Sequence, residues 1–331
     1  MGIRGLTGWI QWAAPDTIQR HPCWEQWKDK KIGIDILGFL YKAKAQKQSV
    51  FMYLARMVAA YKRCGMIPIP IYDGRPPDEK REALKQRAAL RLSSDDKKKI
   101  LEHDLDTVPM TEIQKSVVEV ELKVLNNNTS YLTSEERDLT KQFFYACGVT
   151  FLNASGEADN VLAYFAKRGD VDAIVSNDLD LLARGVETLL VPESYALPGD
   201  LSGWIQYSLS AILRAVDFTY EQFVDMCVLM GCDYTIGYTS LKYKSAYWAI
   251  KYRPTFLDTL EKLNIRNQTV YYKAVSILKG DFETPLSLMG EKQWERWSSG
   301  ILPIEKDTLD EFHRLYLSTL AAVDLDILRD K

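Results

Sequence analysis

The sequence predicts an α/β protein, a sandwich built around a mostly parallel central sheet. Three observations lead there. Short apolar runs rich in Ile or Val, KKIGIDI at 30–36, MIPIPIYDG at 66–74 and DAIVSNDLD at 172–180, read as buried strands. Helical patterns alternate with them: VFMYLARMVAAYKRCG at 50–65 closes on Gly65, and ADNVLAYFAKRG at 158–169 closes on Gly169. The 331 residues, 47% hydrophobic and 26% charged, suffice for a large core without the bias of a disordered chain.

In chain order, the first run holds Gly33 and ends near Asp35. The second ends at Asp73 before Gly74, and its Pro68 and Pro70 predict a strand that starts late or lies near an edge. Next, residues 78–99 read as a basic helix carrying Lys80, Lys85, Arg87 and Arg91 after the Pro76-Pro77 break. The Asn126-Asn127-Asn128 run reads as a turn or loop. Ser155 is the expected N-cap of the 158–169 helix, with Glu157 and Asp159 at its start. The third strand is expected to end at Asp178 and Asp180, and Asp233 follows the apolar stretch FVDMCVLM. Residues 256–331 look helical, with Trp294 and Trp297 in the core.

Composition excludes several classes. No apolar run reaches the ~18–20 residues of a membrane span, so no membrane role is expected. MGIRGLTGWI has neither a secretory stretch nor, with Leu6, a myristoylation signal. Five cysteines without a Cys-x-x-Cys and three scattered histidines argue against disulfides and zinc. The net charge of −3 conceals an asymmetry: residues 1–100 hold 20 Lys/Arg against 10 Asp/Glu, residues 101–331 hold 22 against 35. A basic third on an acidic remainder suggests a surface facing a polyanion; Lys-rich solvated helices would give the same count.

In parallel sheets the ligand site lies beyond the carboxyl ends of the strands. One Asp there is ordinarily a turn former or cap. Asp35, Asp73, Glu157, Asp159, Asp178, Asp180 and Asp233 together are a different matter, because clustered carboxylates repel unless cations neutralise them. Hard oxygen ligands without His or Cys select Mg²⁺ or Mn²⁺, and seven suit two octahedral ions of the kind that serve in-line phosphodiester hydrolysis.

MGIRGL, GIDI with Tyr41 six residues after Asp35, YDGRPP at 72–77, the acid pair of SGEADN, SNDLDLLARG at 176–185 and GCDYT at 231–235 resemble, in order, the motifs of flap endonucleases in the structure-specific 5′-nuclease (XPG) superfamily. The resemblance covers roughly residues 1–255. It implies a PIN-like three-layer α/β/α core with an N-terminal nuclease region to about 103, a helical arch at about 76–133, and an internal nuclease region at about 134–235. A helix–two-turn–helix DNA-binding element would occupy about 225–255, and a helical extension, 256–331, would pack on this core. By resemblance, Asp35, Asp73, Glu157 and Asp159 would serve one Mg²⁺, and Asp178, Asp180 and Asp233 a second, with Mn²⁺ able to substitute. Asp159 stands where many members have Glu.

Lys80 and Arg87, two turns apart, match the arch pair that contacts the scissile phosphate, joined by Lys85 and Arg91 on DNA. Tyr41 would stack on a base; a core tyrosine is the other reading. Gly2 would lie near the active site after removal of Met1. Where the family has a Gly-Pro hairpin this chain reads TIGYTSLKYKSAYWAIKY, in which Lys242 and Lys244 are left to meet phosphates. The implied activity is Mg²⁺-dependent 5′ endonuclease cleavage of branched DNA in replication, repair or recombination, leaving a 5′-phosphate and a 3′-hydroxyl. A 5′→3′ exonuclease or Holliday-junction resolvase of the same superfamily is the alternative, and a catalytically inactive nucleic-acid-binding scaffold is the rival from another class. No sliding-clamp box is found; a monomer is expected, inside the cell, in the nucleus or, for a viral member, at a host replication site.

Overall fold

The computed structural model describes residues 2–129, 132–193, 203–253, 255–280, 284–290 and 294–295. The chain opens with α1 (Leu6–Ala13), β1 (Gln19–Arg20), β2 (Lys31–Asp35), α2 (Ile36–Ala45), α3 (Val50–Arg63) and β3 (Ile67–Tyr72). A short 3₁₀ turn, Asp78–Lys80, leads into α4 (Arg81–Thr107) and α5 (Glu112–Thr129). Then come α6 (Ser134–Ala146), β4 (Leu152–Asn153), α7 (Ala158–Arg168), β5 (Ala173–Val175), α8 (Asp180–Ala183), β6 (Thr188–Pro192) and β7 (Trp204–Ser208). Helices α9 (Leu209–Val216), α10 (Tyr220–Met230), α11 (Tyr243–Lys251), α12 (Phe256–Lys262), α13 (Gln268–Lys279) and α14 (Pro285–Met289) follow.

The strands form one sheet in the order β1-β7-β6-β5-β2-β3-β4. From β6 to β4 every pairing is parallel; β7 and β1 add antiparallel strands at one side. Alternate residues feed two cores. Ile69, Ile71, Ile174 and Leu189 join residues of α1, α7, α9 and α10 on one face. Ile32, Ile34, Tyr72, Val175 and Leu190 join α2, α3 and α6 on the other. The predicted α/β/α layering is what forms. Gly33 leaves room for α7, since a Cβ there would stand 2.7 Å from Leu162 Cδ2.

Pro68 and Pro70 are absorbed within β3 rather than ahead of it. Ile67 N–H bonds back to Lys30 on the β2 side, so by alternation the two proline nitrogens face the other flank. There β4 pairs only with Ile71 and Tyr72, and no ladder bond is lost.

Other expectations are corrected. The third strand ends at Val175, so Asp178 lies in the loop beyond it and Asp180 opens α8. Ser155 does not cap α7; the N-cap is Glu157, without a side-chain bond, and Asp73 Oδ1 accepts the Ala158 N–H at 2.7 Å. Asn126-Asn127-Asn128 falls inside α5, which lies along α4 and reaches α2. Lys80 sits in the 3₁₀ turn ahead of α4 and is not part of the basic helix with Lys85 and Arg91. Trp294, expected in the core, packs partly buried at its margin; Trp297, Met1 and the Arg87 side chain lie outside the described residues. No described helix is long and apolar enough to cross a membrane.

Candidate carboxylate-lined active site

The parallel strands point their carboxyl ends one way, and the seven predicted acids meet there. Asp35 is the last residue of β2, Asp73 follows β3, and Glu157 and Asp159 flank the start of α7. Glu157 precedes the helix in extended conformation (φ −85°, ψ 137°), which lets it converge with Asp159 despite a two-residue spacing. Asp233 follows α10 and is 5% exposed.

A hydrogen-bond relay knits the middle of the cluster. Ser176 Oγ donates to Asp35 Oδ2 at 3.1 Å and accepts from Asp178 N at 3.0 Å. Asp180 N donates to Asp178 Oδ1 at 3.0 Å, and Ile3 N to Asp180 Oδ1 at 2.5 Å. The N-terminal segment thereby enters the site, and a Cβ on Gly2 would come within 2.5 Å of Asp178 Oδ1 and 2.6 Å of Asp180 Oδ1. A larger residue there would have to displace both carboxylates.

Cations occupy the opposite side. Lys80 Nζ lies 2.5 Å from Glu157 Oε1 and 3.7 Å from Asp233 Oδ2, over the Tyr234 ring. Arg184, 2% exposed, donates to Glu157 Oε2 at 3.3 Å, to Tyr234 Oη at 2.7 Å and to Asn160 Oδ1. Tyr234 Oη in turn donates to Glu157 Oε2 at 2.7 Å. Arg137 Nη1 donates to the Asp73 carbonyl at 3.3 Å.

The electrostatics divide accordingly. Burial, then the charges of Asp159 and Asp73, hold the Asp35 carboxyl well above the ordinary range. Asp159 is raised to about 7 by burial, with Arg184 opposing and Asp178 adding to the shift. Asp180 is raised by burial and by Asp178, and Asp73 chiefly by burial. Burial opposes ionisation of Glu157 as well, but Lys80 and Arg184 outweigh it and hold that carboxyl below its usual value. Part of the cluster is thus internally neutralised, and part lacks counter-charge. Among the described residues no three His, Cys, Asp or Glu side chains form a ready coordination sphere. The all-oxygen donors, their burial and their mutual repulsion nonetheless fit hard divalent cations.

Tyr41 stands on α2 at 36% exposure, which excludes the core reading. Lys85 and Arg91 are exposed on α4, as is Lys242 just ahead of α11; Lys244 is exposed on α11 over the Trp12 ring. Sequence reasoning missed Arg184, Tyr234, Asn160 and Ser176, although all four sit inside or beside motifs it had singled out. The available signal was Arg184 itself, a charge closing the apolar run LLA before Gly185.

The site is thus a group of carboxylates at the carboxyl edge of a mostly parallel sheet, with the long pair α4 and α5 inserted between β3 and β4 in the chain. Residues 1–94 match the XPG N-terminal domain and residues 148–233 the XPG I-region. Flap endonuclease 1 of Glycine max is 27% identical over 329 residues, covering 90% of this chain and 79% of that protein. Flap endonuclease 1-A of Sorghum bicolor is 26% identical over 289 residues, covering 80% and 70%. In fold, flap endonuclease-1 from Methanococcus jannaschii is similar at TM-score 0.56 and 19% identity, over 92% of this chain and 98% of that one. The catalytic core of Rad2 in complex with DNA substrate is similar at 0.58 and 15%, over 97% and 96%. Human GEN1 in complex with Holliday junction DNA is similar at 0.57 and 17%, over 99% and 77%. This chain belongs to the XPG superfamily of nucleases, and the relatives above place it beside the flap endonucleases.

Proposed function

We propose that this chain is a divalent-cation-dependent 5′ nuclease that hydrolyses phosphodiester bonds in branched DNA at a 5′ flap. The observation that carries the reading is the convergence of seven carboxylates at one sheet edge, with Lys80 drawn among them from the foot of α4. Asp35, Asp73, Glu157 and Asp159 would hold one Mg²⁺, and Asp178, Asp180 and Asp233 a second; Mn²⁺ has the same oxygen preference. When bound, such ions activate water and stabilise charge on the attacking and leaving oxygens. A GEN1 relative in fold was solved with product DNA, Mg²⁺ and Mn²⁺, which supports the choice of metal.

The chain's own groups do the rest. Ser176 orients Asp35, and the Asp180 and Ile3 amides orient Asp178 and Asp180. Lys80, paired here with Glu157 and Asp233, would turn its positive charge to the transferring phosphate once cations take up those carboxylates. Arg87, which the sequence pairs with Lys80 by resemblance, would join it. Exposed Tyr41 offers a ring to an unpaired base, while Gly2, Lys85, Arg91, Lys242 and Lys244 offer backbone or charge to phosphates.

The test is cleavage of end-labelled 5′-flap, blunt duplex, four-way junction and single-stranded RNA, with Mg²⁺ and with EDTA. Mg²⁺-dependent incision at the flap base is expected. Asp178→Asn, which keeps the bond from Asp180 N but removes a charge, should abolish cleavage and spare flap affinity. Preferred incision of the four-way junction would move the reading to a resolvase, and retention of binding without any cleavage would make the protein a scaffold.

A further inference from the structure

An aromatic surface lies apart from the carboxylate site. Trp12 at the end of α1 meets Trp248 of α11 at 6.4 Å between ring centroids, nearly edge-on at 76°. Trp248 in turn stacks on Tyr252 at 5.1 Å with the rings 8° from parallel. These rings are exposed, Trp12 at 38%, Trp248 at 43% and Tyr252 at 75%. Behind them Tyr247 and Phe218 anchor the group to the core, and Gly5 and Gly8 leave room for the Tyr243 ring at 3.4 and 3.6 Å from where their Cβ atoms would be. The platform is therefore supported from beneath and open above.

Its charge is selective. From Tyr234 to Leu257 the chain contains no Asp or Glu, but it contains Lys242, Lys244, Lys251 and Arg253, within a segment that is otherwise strongly acidic. Lys244 Nζ lies 5.2 Å from the centroid of the Trp12 ring. Lys251 is bound by Asp217 and the Val216 carbonyl, so Lys244 is the exposed charge against a ring, with Lys242 exposed at the start of the same helix. Planar rings with a cation against them, and with Asp217 paired to Lys251, match a base stacked on a ring with its phosphates on lysine. A protein partner's apolar side chain would fit the rings but would leave this charge pattern without a purpose.

We propose that Trp12, Trp248 and Tyr252, with Lys242 and Lys244, form a second nucleic-acid contact that stacks unpaired nucleobases of the bound DNA. The proposal rests on the nuclease reading and adds to it a preference for substrates with a single-stranded extension. Its rings stand outside the residues assigned above to cleavage and phosphate binding, so variants of Trp248 and Tyr252 should bind differently and turn over alike.

The experiment is fluorescence anisotropy of the full chain in EDTA, with one labelled duplex that is blunt and one bearing a six-thymidine overhang. Tyr252→Ala and Trp248→Ala should each weaken the overhang duplex by about tenfold, within the range for loss of one base–aromatic stack. The blunt duplex should change less than twofold. Tyr252→Phe should restore wild-type affinity because the ring is retained, and Lys244→Ala should flatten the salt dependence of both duplexes. Tyr252 is exposed enough for its alanine variant to fold, and saturating Mg²⁺ cleavage at wild-type rate would confirm that it has. Unchanged overhang affinity in both alanine variants overturns the platform while leaving the nuclease intact. Equal losses on blunt and overhang DNA overturn it in favour of a backbone contact. Self-association of the wild type that Tyr252→Ala abolishes, without any overhang preference, overturns it in favour of a protein interface. Failure of the wild type to bind either duplex overturns the nuclease reading as well.

Discussion

At the scale of single residues, the site is a contest for Glu157. Lys80, Arg184 and Tyr234 all reach its two oxygens, so this carboxylate is held by protein cations and a phenol while Asp35 and Asp159 are left repelling one another. Arg184 is buried against three partners, whereas Lys80 reaches Glu157 and Asp233 from the short turn ahead of α4 and lies nearest the foot of the basic helix. Lys80→Ala should therefore lower kcat on a flap substrate by about 10²–10³, the usual cost of removing one group that stabilises transition-state charge. Dissociation constants should move less than threefold, because Arg184 still holds Glu157. A change confined to affinity would make Lys80 a phosphate anchor instead. The seven acids were legible because each follows or starts a recognisable element. Arg184 and Tyr234 were not, since what gives them meaning is Glu157, 27 and 77 residues away. Spacing along a chain carries no record of such partners.

At the scale of elements, the loop after β3 decides how Asp73 is aimed. Gly74 N bonds to the Gly156 carbonyl at 2.6 Å, and a Cβ at Gly74 would meet the Ala154 and Ser155 carbonyl oxygens at 2.2 and 2.5 Å. These are backbone atoms that cannot step aside. Gly74→Ala should cost about 1–3 kcal/mol of stability, visible as a lower denaturant midpoint, and should depress activity beyond that loss by moving Asp73 off the Ala158 amide. Wild-type stability and activity would show that the two loops part without penalty.

The same contact explains why Ser155 was misjudged as a cap, because the carboxylate that does the work arrives from another strand. Local rules also missed the Asn run inside α5, where packing along α4 and α2 overrides weak helix propensity. On α10, Asp225 is raised to about 6 by burial, with Lys279 opposing and Glu221 adding to it. A carboxyl raised in the folded state binds more protons there than when unfolded, so its contribution falls as pH rises from about 4 to 6 and is unfavourable above that. Asp225→Asn should be neutral near pH 4 and more stable than wild type by about 1 kcal/mol at pH 7.5, after allowance for solvent screening. An advantage independent of pH would locate the effect elsewhere.

At the scale of the molecule, the two-sided sheet explains how a chain of net charge −3 can keep a dense acid cluster. The layers of α2, α3 and α6 on one face and α1, α7, α9 and α10 on the other supply the apolar burial, and the carboxyl edge of the sheet spends some of it on repulsion among Asp35, Asp159 and Asp180. A ligand that binds only the folded form and relieves that repulsion must stabilise the fold, by about 2.7 kcal/mol per site at a hundred times its dissociation constant. Thermal unfolding in EDTA should therefore give a lower midpoint than in Mg²⁺, with a difference of several degrees, and Mn²⁺ should act alike. Asp35→Asn and Asp159→Asn should narrow the gap from both sides, since each removes a repulsion from the metal-free protein and a ligand from the metal-bound one. Asp225→Asn, whose charged neighbours are Lys279 and Glu221 and not the edge carboxylates, should leave the gap unchanged and so separate ion binding from a general effect of salt. Equal midpoints in EDTA and Mg²⁺ for the wild type would mean that Lys80 and Arg184 already satisfy the cluster and that no cation is taken up without DNA.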